Sequence, residues 1–272
     1  MKRNLCEQGY YVARDLLADH WVENVLDDMC ALVKSQAFPN LPSLVLGDYD
    51  NHMLLSALKI LLESTPENYL GTIRAFSRLM SLQNLLTSTY VIEALEGIGF
   101  KKFATIPVSP VVIVMSDKLK VPGGYHGLKP HQDWTSTQGS LDTVTVWVPL
   151  HDVSKNNFPL EVIPGSHLRG VWPGKRNGSY YEIDKSEYKD SDFVPLEVKQ
   201  GDVVIMSGFT VHRTGVKDSK GLRIAASIRF DNSAEPSFIK RNYPCMYSRT
   251  LKQEWQDDKL PGTEEMKGIF GI

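Results

Sequence analysis

The chain has 272 residues and a formal net charge of -2, from 30 basic and 32 acidic side chains. Hydrophobic residues make up 42% of it and charged residues 23%, which is typical of a folded globular protein and excludes a disordered one. The nearly balanced charge excludes a general attraction to nucleic acid or to an anionic membrane. Three cysteines without a CxxC pair exclude a disulfide framework, and the first residues lack an apolar signal segment. We therefore expect a reduced, cytoplasmic protein.

The first hundred residues carry helical patterns. Apolar residues recur every three or four positions over 16–33 and again over 51–62, as a single buried helical face requires. A Thr-Pro pair at 65–66 marks a further helix start, because proline is favoured at the first helical position. We expect residues 1–100 to form a helical layer that covers a sheet.

The composition changes near residue 100, where β-rich runs separated by turn signals begin. The run 103–116 is interrupted by prolines and predicts two short strands. Further strands are expected at 143–150, 160–163, 193–198, 203–206 and 223–230. Many short strands without intervening helices favour an antiparallel sandwich or jelly roll over a doubly wound parallel sheet. We expect one domain, mainly β with α, consisting of the helical layer, a β core over 101–232 and a C-terminal extension over 233–272.

The strongest local motif is His131-Gln132-Asp133. The sequence has no GxGxxG, GxxxxGK[ST], HExxH or GxSxG motif, so nucleotide sites and the common hydrolase sites lack support. In an extended backbone, residues i and i+2 project to the same face, so the imidazole and the carboxylate can converge on one point. His212, after a turn, a buried strand and a second turn, is the candidate third ligand. Such a 2-His-1-carboxylate set suits non-haem Fe(II) with open positions.

An arginine follows this histidine at a distinctive spacing. Arg223 comes eleven residues after His212 and opens the β-rich run 223–230. Burial of an arginine in a strand carries a cost that needs a partner. A bound dicarboxylic acid would supply one through a bidentate guanidinium–carboxylate pair. Ser227, at i+4 on the same strand face, is expected to add a hydroxyl contact.

This ordered set, with the Pro-Gly-Ser-His run that ends at His167, resembles the phytanoyl-CoA dioxygenase family. The resemblance covers about residues 100 to 232. It implies a double-stranded β-helix, which is a jelly-roll or cupin-like core, and an Fe(II)- and 2-oxoglutarate-dependent oxygenase. The family reaction consumes O2, converts 2-oxoglutarate to succinate and CO2, and oxidises a substrate C–H bond.

The resemblance also assigns roles to individual residues. His131, Asp133 and His212 would ligate iron, and Arg223 would hold the distal carboxylate of 2-oxoglutarate. Trp147 resembles a family position that lines the cosubstrate pocket. The presence of Asp133 argues against halogenation, because related halogenases lack this carboxylate and bind chloride in its place.

Other residues near these motifs receive weaker assignments. Gln138 and Trp134 follow the HxD motif and are candidates for lining the cosubstrate pocket, and His167 is a candidate for supporting the site. Arg229 is interpreted as a surface residue or as part of a structural ion pair. The segment 169–181 is interpreted either as a lid over the substrate or as a solvated surface loop.

Two alternatives to the oxygenase stay open on the residues alone. One is a cupin-like metal-dependent isomerase or epimerase, which shares strand-borne histidines without consuming oxygen. The other is a non-catalytic jelly-roll binding protein. The spacing of Arg223 favours the oxygenase. In each case the expected partner is a small molecule, and the sequence indicates neither its identity nor the oligomeric state.

Overall fold

The computed structural model describes residues 1–37, 51–100, 104–120, 127–177, 180–245 and 261–272. Helices dominate its N-terminal part: α1 (Lys2–Gln8), α2 (Asp19–Ala37), α3 (Asn51–Ser64), α4 (Pro66–Phe76), α5 (Met80–Leu86) and α6 (Thr89–Ile98). The predicted helical layer is present. Thr65 is the N-cap of α4 with proline following it, and Gly99 ends α6 in the left-handed conformation that glycine adopts without strain.

Ten strands and three further helices complete the described part of the chain. The strands are β1 (Tyr10–Ala13), β2 (Val111–Ser116), β3 (Val144–Pro149), β4 (Leu160–Val162), β5 (Gly174–Asn177), β6 (Tyr180–Ile183), β7 (Val194–Leu196), β8 (Val203–Ser207), β9 (His212–Thr214) and β10 (Leu222–Phe230). The helices are α7 (Trp134–Thr137), α8 (Pro236–Lys240) and α9 (Thr263–Phe270). Within the described ranges, no helix combines the length and the apolar composition that a membrane span requires.

Two antiparallel sheets form the β core. The larger has the strand order β1-β8-β3-β10-β2, and the smaller has the order β7-β4-β9. His131 extends the smaller sheet, because it makes isolated bridges to His212 of β9 and to Glu182 of β6. The β5–β6 hairpin is thereby attached to the edge of the smaller sheet. The predicted mainly β jelly-roll architecture with a helical layer is confirmed.

The larger sheet separates the helical core from the interior between the sheets. In β10, Ile224, Ala226 and Ile228 belong to the large apolar cluster that also contains the buried residues of the helices. Alternate residues point to opposite faces of a strand, so Arg223, Ser227 and Arg229 face the other way. The same alternation places Thr145 and Trp147 of β3 on that inner face.

Several expectations about local structure were wrong. Residues 131–133 do not form a regular strand, since Asp133 has the helical φ of -66° and ψ of -33° and precedes α7. The run 103–116 contains one regular strand, β2, and a single bridge from Thr105 to Asp231, because Pro107 and Pro110 have no N–H to donate. Residues 101–103 lie outside the described residues. The segment 169–181, expected as a loop, contains most of the β5–β6 hairpin, with residues 178–179 outside the described part.

A buried carboxyl group at the end of β10 makes the stability of the fold depend on pH. Asp231 is fully buried, and burial raises its pKa to about 6. A raised pKa means that the folded state binds the proton more tightly, so this group stabilises the fold at acid pH and loses that contribution as the pH rises through about 6.

The protonation of Asp231 should make the free energy of unfolding larger at pH 5 than at pH 7. We expect Asp231→Asn to reduce this difference between the two pH values by about 1 kcal/mol. Denaturant titrations of both proteins at both pH values measure this double difference, in which the contributions of other groups cancel. Asp28→Asn, an exposed carboxylate on α2, is the control and should leave the difference unchanged. If the free energy of unfolding differed between pH 5 and pH 7 by the same amount in Asp231→Asn and in the wild-type protein, the raised pKa of Asp231 would be contradicted.

Candidate metal centre

Two histidines of the candidate centre are joined through their backbones. The N–H of His131 donates to the carbonyl of His212 at 3.0 Å, and the N–H of His212 donates to the carbonyl of His131 at 3.1 Å. This reciprocal pairing brings the two imidazole centroids to 4.1 Å. Residues that are 81 positions apart are thus fixed as direct neighbours across a short antiparallel bridge.

Each imidazole directs the same nitrogen towards the centre. The Nδ1 of His131 lies 2.8 Å from the carbonyl of Lys129, and the Nδ1 of His212 lies 2.9 Å from the carbonyl of Thr210. A carbonyl accepts hydrogen bonds, so both Nδ1 atoms carry the proton and both Nε2 atoms keep a lone pair. Metal-binding histidines commonly have this arrangement, in which the second ring nitrogen donates to an outer partner.

The Asp133 carboxylate completes the group. Its Oδ1 lies 3.6 Å from Nε2 of His131 and 3.9 Å from Nε2 of His212, and all three side chains are buried. Among the described residues, this is the group of histidine, cysteine and acidic side chains that could hold a metal ion. Two imidazoles and one carboxylate are the donors that non-haem Fe(II) takes, so the residues fit the predicted metal.

The protonation states also suit a metal ion. Burial and the neighbouring His212 lower the pKa of His131 to about 3, and burial likewise lowers the pKa of His212. Burial alone would raise the pKa of Asp133, but the charge of Arg229 outweighs it and holds that pKa below its usual range. At neutral pH the centre therefore consists of two neutral imidazoles and one carboxylate.

Arg229 binds this carboxylate through several hydrogen bonds. Its Nη2 donates to Oδ1 at 3.0 Å and to Oδ2 at 2.9 Å, and its Nε donates to Oδ2 at 3.1 Å. The hydroxyl of Thr145 donates to Oδ2 at 2.7 Å. The expected ion pair of Arg229 is therefore present, whereas the alternative of a surface position is wrong, because only 14% of its side chain is exposed. Arg229 lies six residues after Arg223 in the same predicted strand, and residues an even number apart share a strand face. The sequence could therefore have indicated that Arg229 faces the same side as Arg223.

A narrow cavity of about 30 Å³ lies beside the centre on the inner face of the larger sheet. Arg223, Trp147 and Ser227 all line it, as does His212. Arg223 is 2% exposed, and its guanidinium carbon lies 5.8 Å from the centroid of the Trp147 ring. The structure thus brings together three of the four residues that the sequence assigned to the cosubstrate, and Gln138 is the exception.

A larger cavity of about 410 Å³ meets the centre from the side of the helical layer. Helix α4 contributes Tyr69, Leu70 and Ile73, and β2 contributes a row of valine and isoleucine side chains. His131, Asp133 and Arg229 form its polar end. Tyr180 of the β5–β6 hairpin also lines this cavity, and its ring meets His131 edge-on with the centroids 5.5 Å apart. Tyr180 belongs to the segment 169–181, for which a lid over the substrate was one of the two interpretations, and the hairpin brings it beside His131.

Three of the weaker assignments, Gln138, His167 and Trp134, are not among the residues that line the two cavities. Gln138 is fully buried but adopts a left-handed backbone with a φ of 57° at the end of α7, which turns the chain away, and it is not among the lining residues. Its predicted contact with the cosubstrate therefore finds no support. His167 is also buried, and its Nε2 lies 2.8 Å from the carbonyl of Cys6 in α1. That contact ties His167 to the N-terminal helix. Trp134 likewise packs on Phe209, outside the cavities.

Gln132, between the two candidate ligands of the HxD motif, connects three loops. Its side-chain amide donates to the carbonyls of Gly170 and Phe209 at 2.8 and 2.6 Å and accepts from the N–H of Trp172 at 2.9 Å. All donor and acceptor positions face buried backbone. Because Phe209 precedes His212 by three residues, this amide fixes the approach of the third candidate ligand to the other two.

The core of the chain matches a known family. Residues 100–225 match the family model described as Phytanoyl-CoA dioxygenase (PhyH). These residues are similar to a phytanoyl-CoA dioxygenase domain. The predicted resemblance is confirmed, and the two histidines and the aspartate of the candidate metal centre lie within the matched residues. The match omits most of the helical layer, including α4.

Known proteins resemble the chain over different extents. It is 34% identical over 159 residues to phytanoyl-CoA dioxygenase 1 of Oryza sativa subsp. japonica, covering 56% of this chain and 51% of that protein. The chain thus spans about half the length of this relative. The solved non-heme monooxygenase ThoJ is 13% identical with a TM-score of 0.59, covering 85% of this chain and 76% of its own. The epimerase SnoN, solved with Fe3+, alpha ketoglutarate and nogalamycin RO, is 15% identical with a TM-score of 0.50 and 96% coverage of both chains. Both structures share the fold.

The Gln132 amide generates a prediction about the centre. Gln132→Ala leaves two buried carbonyls and one buried N–H unpaired, so we expect unfolding to become easier by about 2–3 kcal/mol. We also expect Ni(II) to bind about tenfold more weakly, because His212 loses its support. Denaturant titration and calorimetry measure the two effects. Gln200→Ala removes an exposed amide that contacts Asp19 and serves as the control. Unchanged Ni(II) binding would contradict the positioning role.

The lowered histidine pKa values predict metal binding that resists acid. Two imidazoles with ordinary pKa values would lose about a hundredfold in affinity between pH 7.5 and about pH 5.5, because each would be mostly protonated at the lower value. Since both pKa values are lowered by burial, we expect the Ni(II) affinity to fall by clearly less than this hundredfold over that range. Calorimetry at the two pH values tests this, and a hundredfold fall would show that both imidazoles are accessible to protons.

Proposed function

We propose that the protein is an Fe(II)- and 2-oxoglutarate-dependent dioxygenase that oxidises a C–H bond of a largely apolar small molecule. The observation that carries this proposal is the convergence of two imidazole Nε2 atoms and one carboxylate oxygen beside a buried arginine. For a hydroxylation, the substrate, 2-oxoglutarate and O2 would yield the hydroxylated product, succinate and CO2. The iron would supply the oxidative decarboxylation of 2-oxoglutarate and the activation of O2.

The chain's own residues would hold and orient these components. His131, Asp133 and His212 would ligate the iron on one face and leave the opposite positions open. Arg223 would pair with the distal carboxylate of 2-oxoglutarate, with Ser227 and Trp147 beside it. The cavity of about 30 Å³ that these three residues line lies next to the candidate ligand His212, as a cosubstrate that reaches both would require.

The larger cavity supports an apolar substrate. Its volume lies within the range of small-molecule sites, and its walls from α4 and β2 carry apolar side chains that exclude water. The polar groups lie at the end formed by the candidate ligands. A hydrocarbon portion of a substrate would therefore lie along the walls and present one C–H bond to the metal.

The proposal is tested without knowledge of the substrate. Under anaerobic conditions, addition of Fe(II) and 2-oxoglutarate should produce the visible charge-transfer band of the iron–2-oxo acid chelate. Asp133→Ala and His212→Ala should weaken Fe(II) binding at least about a hundredfold, since even loss of a ligand's partner costs ten- to a hundredfold. The band and the Fe(II)-dependent formation of succinate under O2 should disappear with it.

Matched controls are available on the helical layer. His20→Ala and Asp28→Ala remove an exposed histidine and an exposed aspartate of α2 and should leave the band unchanged. Metal binding without the chelate band would favour the cupin-like isomerase, and the absence of metal binding would favour a non-catalytic binding protein. If the Asp133 and His212 variants kept the band, the ligand assignment would be wrong.

A further inference from the structure

The two oxygens of the Asp133 carboxylate have unequal surroundings. Three donors reach Oδ2: the hydroxyl of Thr145 at 2.7 Å, Nη2 of Arg229 at 2.9 Å and Nε of Arg229 at 3.1 Å. Oδ1 accepts from Nη2 of Arg229 at 3.0 Å, and it is the oxygen that faces the two Nε2 atoms. The asymmetry arises from groups on β3 and β10.

A count of lone pairs shows what this asymmetry permits. An ionised carboxylate has about four lone-pair sites, two on each oxygen. The three donors at Oδ2 occupy both of its sites, whereas the single donor at Oδ1 leaves one site open. That site faces the imidazole nitrogens. A metal ion between the three side chains can therefore be reached by Oδ1 but not by Oδ2 while Arg229 holds its place.

We propose that Arg229 is a positioning residue that limits Asp133 to metal coordination through Oδ1 alone. The inference rests on the proposed function and adds a reason for this arginine. With one carboxylate oxygen, the three side chains occupy three positions of an octahedral metal ion, and three remain for a chelating 2-oxo acid and O2. With both oxygens bound, only two would remain, which a chelating 2-oxo acid fills completely.

Charge alone does not account for Arg229. A guanidinium next to the centre repels a divalent cation, so its presence lowers the attraction of the site for metal. Orientation of the carboxylate is the compensating effect. The ion pair is rigid, since Nη1 of Arg229 also donates to the hydroxyl of Ser227 at 3.1 Å. Arg229 therefore sets which carboxylate oxygen coordinates the metal, and its positive charge lowers the metal affinity of the site.

The decisive experiment is the structure of the Ni(II)-loaded protein with and without Arg229. In the unchanged protein we expect Ni(II) on Oδ1 alone, with both Arg229 contacts to Oδ2 retained. In Arg229→Met we expect Ni(II) on both oxygens, because Oδ2 has lost two of its three donors. By calorimetry, this variant should bind Ni(II) as tightly as the unchanged protein or more tightly. The loaded variant should bind 2-oxoglutarate at least about tenfold more weakly.

Two further variants separate this role from others. Arg223→Met removes the arginine that faces the cosubstrate cavity, so it should weaken 2-oxoglutarate binding while Ni(II) stays on Oδ1 alone. Arg229→Lys keeps the positive charge but cannot span both oxygens, and we expect it to resemble Arg229→Met in its coordination. If Arg229→Met does not fold, this lysine variant and the unchanged loaded protein still provide the test.

Three outcomes would overturn the inference. Ni(II) on both oxygens of the unchanged protein would show that Oδ2 is available, and an Arg229 displaced from Asp133 in the loaded protein would show that it does not hold the carboxylate. Coordination through Oδ1 alone in both Arg229 variants would show that another group sets it. A protein that binds no Ni(II) would contradict the proposed function as well, which distinguishes that failure from the other three.

Discussion

The ion pair between Asp133 and Arg229 is the interaction on which the centre depends. In the metal-free protein, a carboxylate this deeply buried would take up a proton without a positive partner. Arg229 keeps it ionised, and Thr145 fixes the direction of one oxygen. Arg229 and Thr145, on the inner face of the larger sheet, thus supply the positive charge and fix the orientation of the carboxylate. Asp133 itself lies at the start of α7. The two imidazoles approach the remaining oxygen from the smaller sheet.

Backbone pairing has the corresponding role for the histidines. His131 bonds reciprocally to His212 and also bridges to Glu182, so one residue joins the smaller sheet to the β5–β6 hairpin. The carbonyls of Lys129 and Thr210 fix the two rings. Neither imidazole relies on a long flexible loop for its position. The geometry of the donors consequently follows from the sheet spacing and from short-range hydrogen bonds.

Much of this organisation was predictable from the sequence, and the exceptions have physical causes. Hydrophobic periodicity located the helices of the first hundred residues and the central strands, because those elements bury one face or both. The HxD motif, His212 and Arg223 carried the family resemblance, and that resemblance in turn pointed to Trp147 as a residue beside the cosubstrate. The expected strand at 131–133 was wrong because one bridge to His212, and not a regular ladder, brings the donors together. The role of Gln132 was missed because it depends on distant segments that no local pattern connects, and the hairpin that brings Tyr180 of the segment 169–181 beside His131 was not predicted.

The proposed substrate cavity combines one wall inside the matched residues, β2, with one wall outside them, α4. The candidate ligands and Arg223 lie within the residues that match the phytanoyl-CoA dioxygenase family model, whereas the α4 wall of the larger cavity lies outside them. Tyr69, Leu70 and Ile73 lie on α4, whereas the backbone bridge that sets the donors joins His131 to His212. Substitutions on the α4 wall could therefore change which molecule the cavity accepts without altering the candidate metal ligands. A scaffold of this kind permits new substrates to be acquired by variation in a single helix.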